Sequence, residues 1–178
     1  MTGIAIIGGS GLYQLEALEN SHTETVSTPY GEPSDALTIG SMQGESVVFL
    51  ARHGTAHTIP PHRVNYRANL WALKQQGIRT VISVCAVGAI RAAIRPGAIV
   101  VPDQMIDYTW GREHTLYEQD LSEVTHIDFT EPYCGELRMA LIDAAAEAGI
   151  EIFQTATYGA MQGPRLETAA EINRMERD

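Results

Sequence analysis

Short apolar runs that end in glycine constrain the fold of this chain more than any other feature. The run over residues 3–7 (GIAII) meets a glycine cluster at residues 8–11 (GGSG), and the run over residues 80–87 (TVISVCAV) ends at Gly88. Runs of this length, rich in β-branched residues, are typical of strands that are buried in a parallel sheet. The sequence therefore predicts two buried parallel strands, each of which ends in glycine.

The rest of the chain alternates predicted strands with predicted helices. Further strands are predicted over residues 35–51 (two strands, with Gly40 and Gly44 marking the hairpin between them), 98–102 and 151–161. Helices are predicted over residues 64–76 and 136–148, and a third begins at a capping box formed by Thr168 and Glu171. Residues 53–62 and 103–134 are predicted as loops. This alternation predicts a single α/β domain over residues 1–178, with a mixed, mainly parallel twisted sheet flanked by helices.

The charge balance excludes a nucleic-acid backbone as a partner. The chain has 12 Lys and Arg residues against 22 Asp and Glu residues, a formal net charge of −10, whereas binding such a backbone needs a basic face. The apolar runs are too short to cross a membrane, and the N-terminus lacks the pattern of a signal peptide. Cys85 and Cys134 form no CxxC pair. We therefore expect a cytoplasmic protein with no disulfide framework and no membrane partner.

The glycine cluster at residues 8–11 is the first candidate for a ligand site. Consecutive glycines allow backbone N–H groups to converge on an anion, and the Ser10 hydroxyl adds a donor. A dinucleotide-binding fingerprint is excluded because Gln14 stands where its third glycine would be, and no GK[ST] follows to complete a Walker A loop. The cluster predicts either an anion-binding nest or a tight turn after the strand.

Two further candidates lie at predicted strand ends. Arg52 and His53 follow the strand SVVFLA; arginine offers a cationic fork suited to phosphate, and histidine can donate a hydrogen bond or a proton near neutral pH. The alternative for Arg52 is an ordinary surface ion pair. Glu167 could accept two N–H bonds from the edge of a heterocycle, or it could be a carboxylate in the first turn of a helix. Together the three candidates favour an enzyme that binds phosphate and a polar heterocycle.

Metal and thiol chemistry are disfavoured. His53, His57 and His62 are separated by glycine and proline, so no helix can place them on one face. Cys85 lies in an apolar run, which predicts a buried small side chain rather than the nucleophile of a thiol dyad. We expect no metal site.

Several ordered motifs resemble the purine nucleoside phosphorylase family, and most closely its methylthionucleoside branch, the 5′-methylthioadenosine and S-methyl-5′-thioinosine phosphorylases. The motifs are GGSGL, TPYGEPSDAL, LARHG, NYRANLWALK, PDQMIDYT and GPRLET, and the resemblance extends over essentially the whole chain. It implies phosphorolysis, in which inorganic phosphate attacks the anomeric carbon of a purine (methylthio)nucleoside. The products are the free base and a (methylthio)ribose 1-phosphate, and phosphate is a co-substrate with no other cofactor.

The resemblance also implies roles for individual residues. Phosphate-binding residues would be Ser10, Arg52, His53, Cys85 and Ala86, and base-binding residues would be Leu166 and Glu167. His126 matches a histidine that reaches the 5′-substituent pocket of a neighbouring subunit, which implies a homotrimer, or a hexamer built from two trimers. At Cys85 the family often has Thr or Asn, and at Ala89 often Gly or Ser.

The resemblance implies a substrate preference and a length difference. A Glu at position 167 is typical of branches that act on 6-oxopurines, which predicts S-methyl-5′-thioinosine or an inosine-type nucleoside as substrate. 5′-Methylthioadenosine phosphorolysis, nucleoside hydrolysis and silent binding of purine or phosphate are the alternatives. Members of the family continue for another third beyond the matched motifs. We therefore expect residues 1–178 to lack the family's C-terminal third and to be weakly active or inactive alone.

Overall fold

The computed structural model of the protein describes residues 3–118 and 121–178. The chain forms two compact units. The described residues of the first unit are 3–87 and 112–118, and those of the second unit are 88–111 and 121–178. No helix in the described ranges is long and apolar enough to cross a membrane.

The first unit is built on a five-stranded mixed sheet. Its strands are β1 (Ile4–Gly8), β2 (Glu19–Glu24), β3 (Leu37–Met42), β4 (Glu45–Ala51) and β5 (Thr80–Val84), and its α-helix is α1 (Tyr66–Gln75). The spatial order is β2-β3-β4-β1-β5. β1 pairs in parallel with both β4 and β5, whereas β3 is antiparallel to β2 and β4. The structure confirms the two apolar runs as parallel strands, with β1 inside the sheet. The prediction that the second run is buried was wrong, because β5 lies at the edge of the sheet, ends at Val84, and consists of half-buried and exposed residues.

The edge of this sheet beside β3 differs from the sequence prediction. β2 was not predicted, because its six residues, ENSHTE, are polar and all exposed. Gly40 does not mark a turn but lies within β3, opposite Val47 of β4. The hairpin turns instead at Gln43 and Gly44, whose φ angles are 53° and 84°. Positive φ at both central positions is the geometry that matches the twist of a two-residue hairpin.

The hydrophobic core lies between α1 and the sheet. Asn65 caps α1 by accepting a hydrogen bond from the Ala68 N–H, so the helix begins two residues later than predicted. The core consists of side chains from three strands (β1, β3 and β4), from α1 and from the turn that follows it: Ala5, Ile7, Leu37, Val48, Leu50, Ala72, Leu73 and Ile78. Val81 of β5 packs against them. Burying one leucine side chain contributes about 1.5–3 kcal/mol. The sheet and α1 of the first unit therefore share one core.

The second unit consists of two parallel strand pairs and two helices. Its elements are β6 (Ile99–Val100), β7 (Gln104–Asp107), α2 (Gly135–Glu147), β8 (Ile152–Phe153), β9 (Thr157–Ala160) and α3 (Ala169–Met175). β6 pairs with β8, and β7 pairs with β9. The predicted strand over residues 151–161 is therefore two short strands, and β7 lies in a region predicted as loop. The capping box of Thr168 and Glu171 is confirmed.

Candidate active site

Three parallel strands of the first unit end at the same level. Gly8, the last residue of β1, lies opposite Ala51 and Val84, the last residues of β4 and β5. The Arg52 N–H donates to the Gly8 carbonyl at 2.9 Å, which extends the β1–β4 ladder by one step. The residues that leave the sheet at this edge are Gly9, Arg52 and Cys85. The carboxyl edge of a parallel sheet is where α/β proteins place ligand groups.

The Arg52 guanidinium contacts groups from two of these strand ends. Its Nη1 donates to the Cys85 sulfur at 2.9 Å and lies 3.4 Å from the Ser83 hydroxyl oxygen. Its Nε lies 3.4 Å from Nε2 of His53. The prediction that Cys85 is a buried small side chain was wrong: it is half-buried, and its sulfur accepts a hydrogen bond from Arg52. The Cys85 thiol, one residue beyond the end of β5, therefore lies at the same sheet edge as Arg52.

Gly9 allows the guanidinium to lie against bare backbone. A Cβ atom at this position would be 2.5 Å from Nη2 of Arg52 and 2.6 Å from the Val84 carbonyl oxygen, closer than real Cβ atoms come to any neighbour. A Cβ at Gly8 would overlap the Leu12 carbonyl and the Phe49 ring. The close approach of backbone and side chains therefore requires glycine at both positions.

His53 is buried, and both of its ring nitrogens are engaged. Nδ1 lies 2.7 Å from the Ile59 carbonyl oxygen, and since a carbonyl only accepts, Nδ1 carries the proton. Nε2 of the neutral ring is then an acceptor and faces the Arg52 N–H. Burial lowers the pKa of His53, the Ile59 carbonyl raises it, and the charges of Arg52 and His57 lower it further, so the net shift is downward. The neutral ring has no free donor.

Ser10 and His53 line the same cleft. The cleft has a volume of about 420 Å³, and its lining residues are Ser10, His53, His57, Thr58, Ile59, Pro60 and Pro61. Ser10 is exposed, as is Ala86, which follows Cys85. Of the predicted phosphate-binding residues, Ser10 and His53 thus line one cleft. Arg52 contacts the His53 ring through Nε and the Cys85 sulfur through Nη1.

Asp35 anchors the beginning of the loop over residues 53–62. Its Oδ2 accepts from the Thr55 N–H at 2.6 Å and from the Thr55 hydroxyl at 2.7 Å, and its Oδ1 accepts from the Ala36 N–H. Burial acts to raise the pKa of Asp35, but these hydrogen bonds outweigh it and hold the pKa below its ordinary value. Sequence reasoning assigned Asp35 no role, although it belongs to the TPYGEPSDAL motif.

Two asparagines at the start of α1 and within it hold that same motif in place. Asn69 is buried; its Oδ1 accepts from the Ser34 N–H at 2.7 Å, and its Nδ2 donates to the Ser34 hydroxyl at 2.9 Å. Nδ2 of Asn65 donates to the Tyr30 carbonyl at 2.7 Å. The residues of each pair are 35 positions apart in the sequence, so a local sequence pattern cannot predict these contacts.

Leu166 and Glu167 lie in the second unit, just before α3. Leu166 is 85% exposed. Glu167 precedes the N-cap Thr168 and is therefore outside the helix, so its alternative role as a first-turn carboxylate was wrong; Glu171 has that role. Among the described residues, the Glu167 carboxylate has no hydrogen-bond partner.

A salt bridge fixes the turn that presents these two residues. Arg165 binds both carboxylate oxygens of Glu171, at 2.8 and 2.7 Å. This hydrogen bonding, with help from the Thr168 N–H, lowers the pKa of Glu171 to about 2, and it raises the pKa of Arg165. Since Arg165 is committed to Glu171, the Glu167 carboxylate remains available to a ligand.

His126 lies in an exposed apolar segment of the second unit, residues 121–129. The large apolar side chains of this segment are 42–75% exposed, and they are Leu121, Val124, Ile127 and Phe129. Exposed apolar side chains at this density are typical of surfaces that bind another protein. In residues 3–118 and 121–178, no three His, Cys, Asp or Glu residues are grouped as a metal site would need.

The family model of the phosphorylase superfamily matches residues 3–178. Nearly the whole chain is matched, including both units and every candidate residue named above. The chain therefore belongs to the phosphorylase superfamily.

Two relatives and one solved structure narrow this class. The chain is 52% identical over 178 residues to the probable S-methyl-5′-thioinosine phosphorylase of Pseudomonas syringae pv. tomato, covering 100% of this chain and 72% of that protein. It is 52% identical over 169 residues to the probable 6-oxopurine nucleoside phosphorylase of Dictyoglomus turgidum, covering 95% of this chain and 64% of that protein. The methylthioadenosine phosphorylase of Schistosoma mansoni in apo form matches with a TM-score of 0.95 at 34% identity, covering 99% of this chain and 70% of that one. These matches confirm the family resemblance and the α/β fold class, and the chain spans 64–72% of these proteins' lengths.

Proposed function

We propose that this chain carries the phosphate-binding and part of the base-binding machinery of a purine nucleoside phosphorylase, with S-methyl-5′-thioinosine or another 6-oxopurine nucleoside as substrate. The observation that carries the proposal is the Arg52 guanidinium, held at the carboxyl edge of the sheet beside His53 and the Ser10 cleft. A fixed cationic fork next to hydroxyl and imidazole groups suits a phosphate dianion. The similarity to nucleoside phosphorylases over the whole chain supports the same ligand.

The proposed reaction needs positioning and electrostatic stabilisation. A phosphate oxygen forms a bond to the anomeric carbon while the bond from that carbon to the purine nitrogen breaks, and the bonding electron pair leaves with the base. Arg52 and Ser10 hold phosphate beneath the sugar, so attack becomes effectively unimolecular. The positive charge that develops on the sugar lies between the phosphate and the departing purine, which stabilises the transition state.

Glu167 sets the proposed base preference. Hypoxanthine and guanine carry a proton on N1, which can donate a hydrogen bond to a carboxylate, whereas neutral adenine has only an acceptor there. The free carboxylate of Glu167 beside the exposed Leu166 suits a 6-oxopurine. We expect a higher kcat/KM for methylthioinosine than for methylthioadenosine, with Glu167→Gln narrowing the ratio. A clear preference of the unaltered protein for the adenine nucleoside would contradict the assignment.

Phosphate dependence tests the reaction class. We expect hypoxanthine release from methylthioinosine to require added inorganic phosphate and to yield a sugar 1-phosphate. Release of base in phosphate-free buffer would indicate a hydrolase instead. Binding of phosphate and purine without any release would indicate a silent binding protein.

Arg52→Ala tests the phosphate assignment within that reaction. It should raise the KM for phosphate by about tenfold or more and leave the KM for nucleoside nearly unchanged, since a charge-assisted contact to one substrate is lost. Equal effects on both KM values would make Arg52 a structural residue.

We also propose that the protein works in the cytoplasm as a homotrimer, or a hexamer of two trimers, in which His126 contributes to the neighbouring subunit's 5′-substituent pocket. The exposed apolar segment at residues 121–129 supports an interface. Sedimentation equilibrium should give three or six times the chain mass of 19.4 kDa. A monomer at all concentrations would contradict a shared pocket.

A further inference from the structure

The turn before α3 presents the two predicted base-binding residues. Leu166 is 85% exposed, and the Glu167 carboxylate has no hydrogen-bond partner among residues 3–118 and 121–178. The Leu166 side chain is therefore not held by packing, and the Glu167 side chain is not held by hydrogen bonds. The turn itself is closed by hydrogen bonds between Arg165, Thr168 and Glu171.

The Glu171 carboxylate accepts three of these hydrogen bonds. Nη1 and Nη2 of Arg165 donate to its Oε2 and Oε1 at 2.8 and 2.7 Å, and the Thr168 N–H donates to Oε2 at 2.7 Å. Nη1 of Arg165 also donates to the Leu166 carbonyl at 3.1 Å. A bidentate pair of arginine and carboxylate is stronger than an ordinary surface ion pair. Arg165 is therefore held against Glu171.

Glu167 is a second carboxylate whose charge acts on Arg165. The hydrogen bonds and the charge of Glu171 raise the pKa of Arg165, burial lowers it, and the charge of Glu167 adds a smaller rise. The two carboxylates therefore compete for one guanidinium. Glu171 is favoured because the capping box with Thr168 already fixes its carboxylate, whereas Glu167 precedes the cap and lies outside that box.

Pairing of Arg165 with Glu167 would weaken the binding of a base. The N1–H of a 6-oxopurine needs a carboxylate oxygen that is free to accept it. A bidentate arginine would place N–H donors on both oxygens of Glu167 and neutralise their charge. The preference for a 6-oxopurine over adenine would then fall, although Glu167 itself would be unchanged.

We propose that Glu171 determines base specificity by holding Arg165 away from Glu167, so that the Glu167 carboxylate stays free to accept the N1–H of a 6-oxopurine. The inference rests on the proposed function, which assigns Glu167 to the base. Glu171 and Arg165 would then be positioning residues that do not touch the substrate.

Calorimetric titration of the 178-residue protein with hypoxanthine and with adenine tests the proposal. Glu171→Gln loses the charge that holds Arg165, but it keeps an acceptor for the Thr168 N–H, since glutamine also serves in a capping box. We expect Kd for hypoxanthine to rise about tenfold, as for a lost hydrogen bond to a charged group, and Kd for adenine to stay nearly unchanged. Glu176→Gln, at the exposed C-terminal end of α3, removes the same charge and is the matched control.

The double variant Arg165→Gln/Glu171→Gln separates competition for the arginine from damage to the turn. It removes the salt bridge entirely, but it leaves no guanidinium from this turn to pair with Glu167. We expect it to bind hypoxanthine more tightly than Glu171→Gln alone does. If it binds no more tightly, or if Glu171→Gln binds hypoxanthine as the unaltered protein does, the role of Glu171 in specificity is overturned.

¹⁵N NMR of the Arg165 guanidinium follows the pairing without any purine. A bidentate pair restricts rotation of the guanidinium, so Nη1 and Nη2 give separate signals. We expect separate signals in the unaltered protein and in Glu171→Gln, where Glu167 becomes the partner. The double variant Glu167→Gln/Glu171→Gln should give one averaged signal. An averaged signal in Glu171→Gln itself would show that Arg165 does not transfer to Glu167, and would overturn the inference.

The two measurements distinguish failure of this inference from failure of the proposed function. If the unaltered protein does not prefer hypoxanthine to adenine, the assignment of Glu167 to the base is overturned, and with it the effect of Glu171 on specificity. The arginine signals then still decide whether the two carboxylates compete for Arg165. If the unaltered protein prefers hypoxanthine and Glu171→Gln keeps that preference, the proposed function stands and the inference falls.

Discussion

Arg52 is positioned by residues that are far apart in the chain and adjacent in the sheet. Gly9 has no side chain, which leaves space on one side of the guanidinium. The Cys85 sulfur accepts a hydrogen bond from Nη1, and the Ser83 hydroxyl lies 3.4 Å from the same nitrogen. Nε2 of the His53 ring faces Nε. An arginine side chain that is free in solution would lose conformational entropy on binding phosphate. Because folding already orders the Arg52 side chain, the phosphate binding proposed above would lose less conformational entropy.

Gly9→Ala should displace this guanidinium. The new Cβ would lie 2.5 Å from Nη2 of Arg52 and 2.6 Å from a backbone carbonyl that cannot move without disturbing β5. We expect Kd for phosphate to rise about tenfold and the free energy of unfolding to fall by about 1–3 kcal/mol, as for other overpacked sites. Phosphate calorimetry and urea denaturation measure the two effects.

Gly135→Ala provides the control for this substitution. Gly135 is the first residue of α2, and a Cβ atom there would have no neighbour within 4 Å among the described residues. Alanine at this position should therefore keep phosphate binding unchanged. A Gly9→Ala protein with an unchanged Kd would show that Arg52 can bind phosphate without its packing against the backbone.

His53 should make the stability of the protein depend on pH. Its pKa in the folded protein lies below the ordinary 6.5, chiefly through burial, so the unfolded chain takes up the proton at a higher pH than the folded chain. The stabilisation is fully present above pH 6.5 and is lost as the pH falls through the folded pKa. Urea denaturation between about pH 5 and 8 should show this loss in the unaltered protein and less of it in His53→Asn. If the free energy of unfolding depends on pH equally in His53→Asn and in the unaltered protein, His53 does not cause that dependence.

Local motifs predicted contacts between residues that are close in sequence. They did not predict hydrogen bonds between residues that are far apart in the chain. Arg52 and His53 follow an apolar strand directly, so their place at the sheet edge could be inferred. The environment of Cys85 could not be inferred, because an apolar run does not show which face of an edge strand packs against the protein and which is open to solvent. Asp35 was missed because its partner, Thr55, lies on another loop.

At the scale of elements, α1 is connected to the loop at residues 53–62 through hydrogen bonds of the TPYGEPSDAL motif. Its buried face carries Ala72 and Leu73 into the core, and Asn69 reaches the TPYGEPSDAL motif from the same helix. The motif then reaches the site loop through Asp35 and Thr55. The hydrogen bonds from α1 to the motif, and from the motif to Thr55, therefore help to position the loop at residues 53–62.

Asn69→Ala should weaken this connection. It removes both hydrogen bonds to Ser34 and leaves a buried N–H without a partner, which costs about 1–3 kcal/mol. Urea denaturation should show that loss, whereas Gln75→Ala, at the exposed end of α1, should stay within about 0.5 kcal/mol of the unaltered protein. An Asn69→Ala protein of full stability would mean that water replaces the asparagine.

Elements were predictable where hydrophobic pattern and capping agreed. β1, β4, α1 and α2 were predicted to within about two residues of both ends, and α3 was predicted at its start by the capping box. β2 has no apolar face to detect, and β7 lies among polar and aromatic residues that resemble a loop. Pairing with a distant strand, rather than intrinsic preference, makes both of them strands.

At the scale of the whole molecule, burial is concentrated in one of the two units. In the described part of the chain, every buried residue lies between positions 5 and 78, and α2 and α3 contain none. Hydrophobic burial is the main stabilising contribution to a fold. The two units should therefore differ in local stability.

Hydrogen exchange measures this difference. Amides of β1, β4 and α1 should be the most protected, and amides of β6 to β9 and α2 should exchange through openings of lower free energy. Mass spectrometry of peptides from residues 37–51 and 135–160 provides the comparison. Equal protection of the two sets would show that burial within each unit does not govern its stability.

The common level at which β1, β4 and β5 end also predicts which changes in chain length the protein tolerates. Deleting one residue within β1 would draw Gly9 back by about 3.3 Å relative to Arg52 and turn the following side chains to the opposite face. Exchanging one apolar strand residue for another of similar size leaves that alignment intact. Sequence drift in these strands should therefore proceed by substitution, while insertions and deletions accumulate in the connections that precede them.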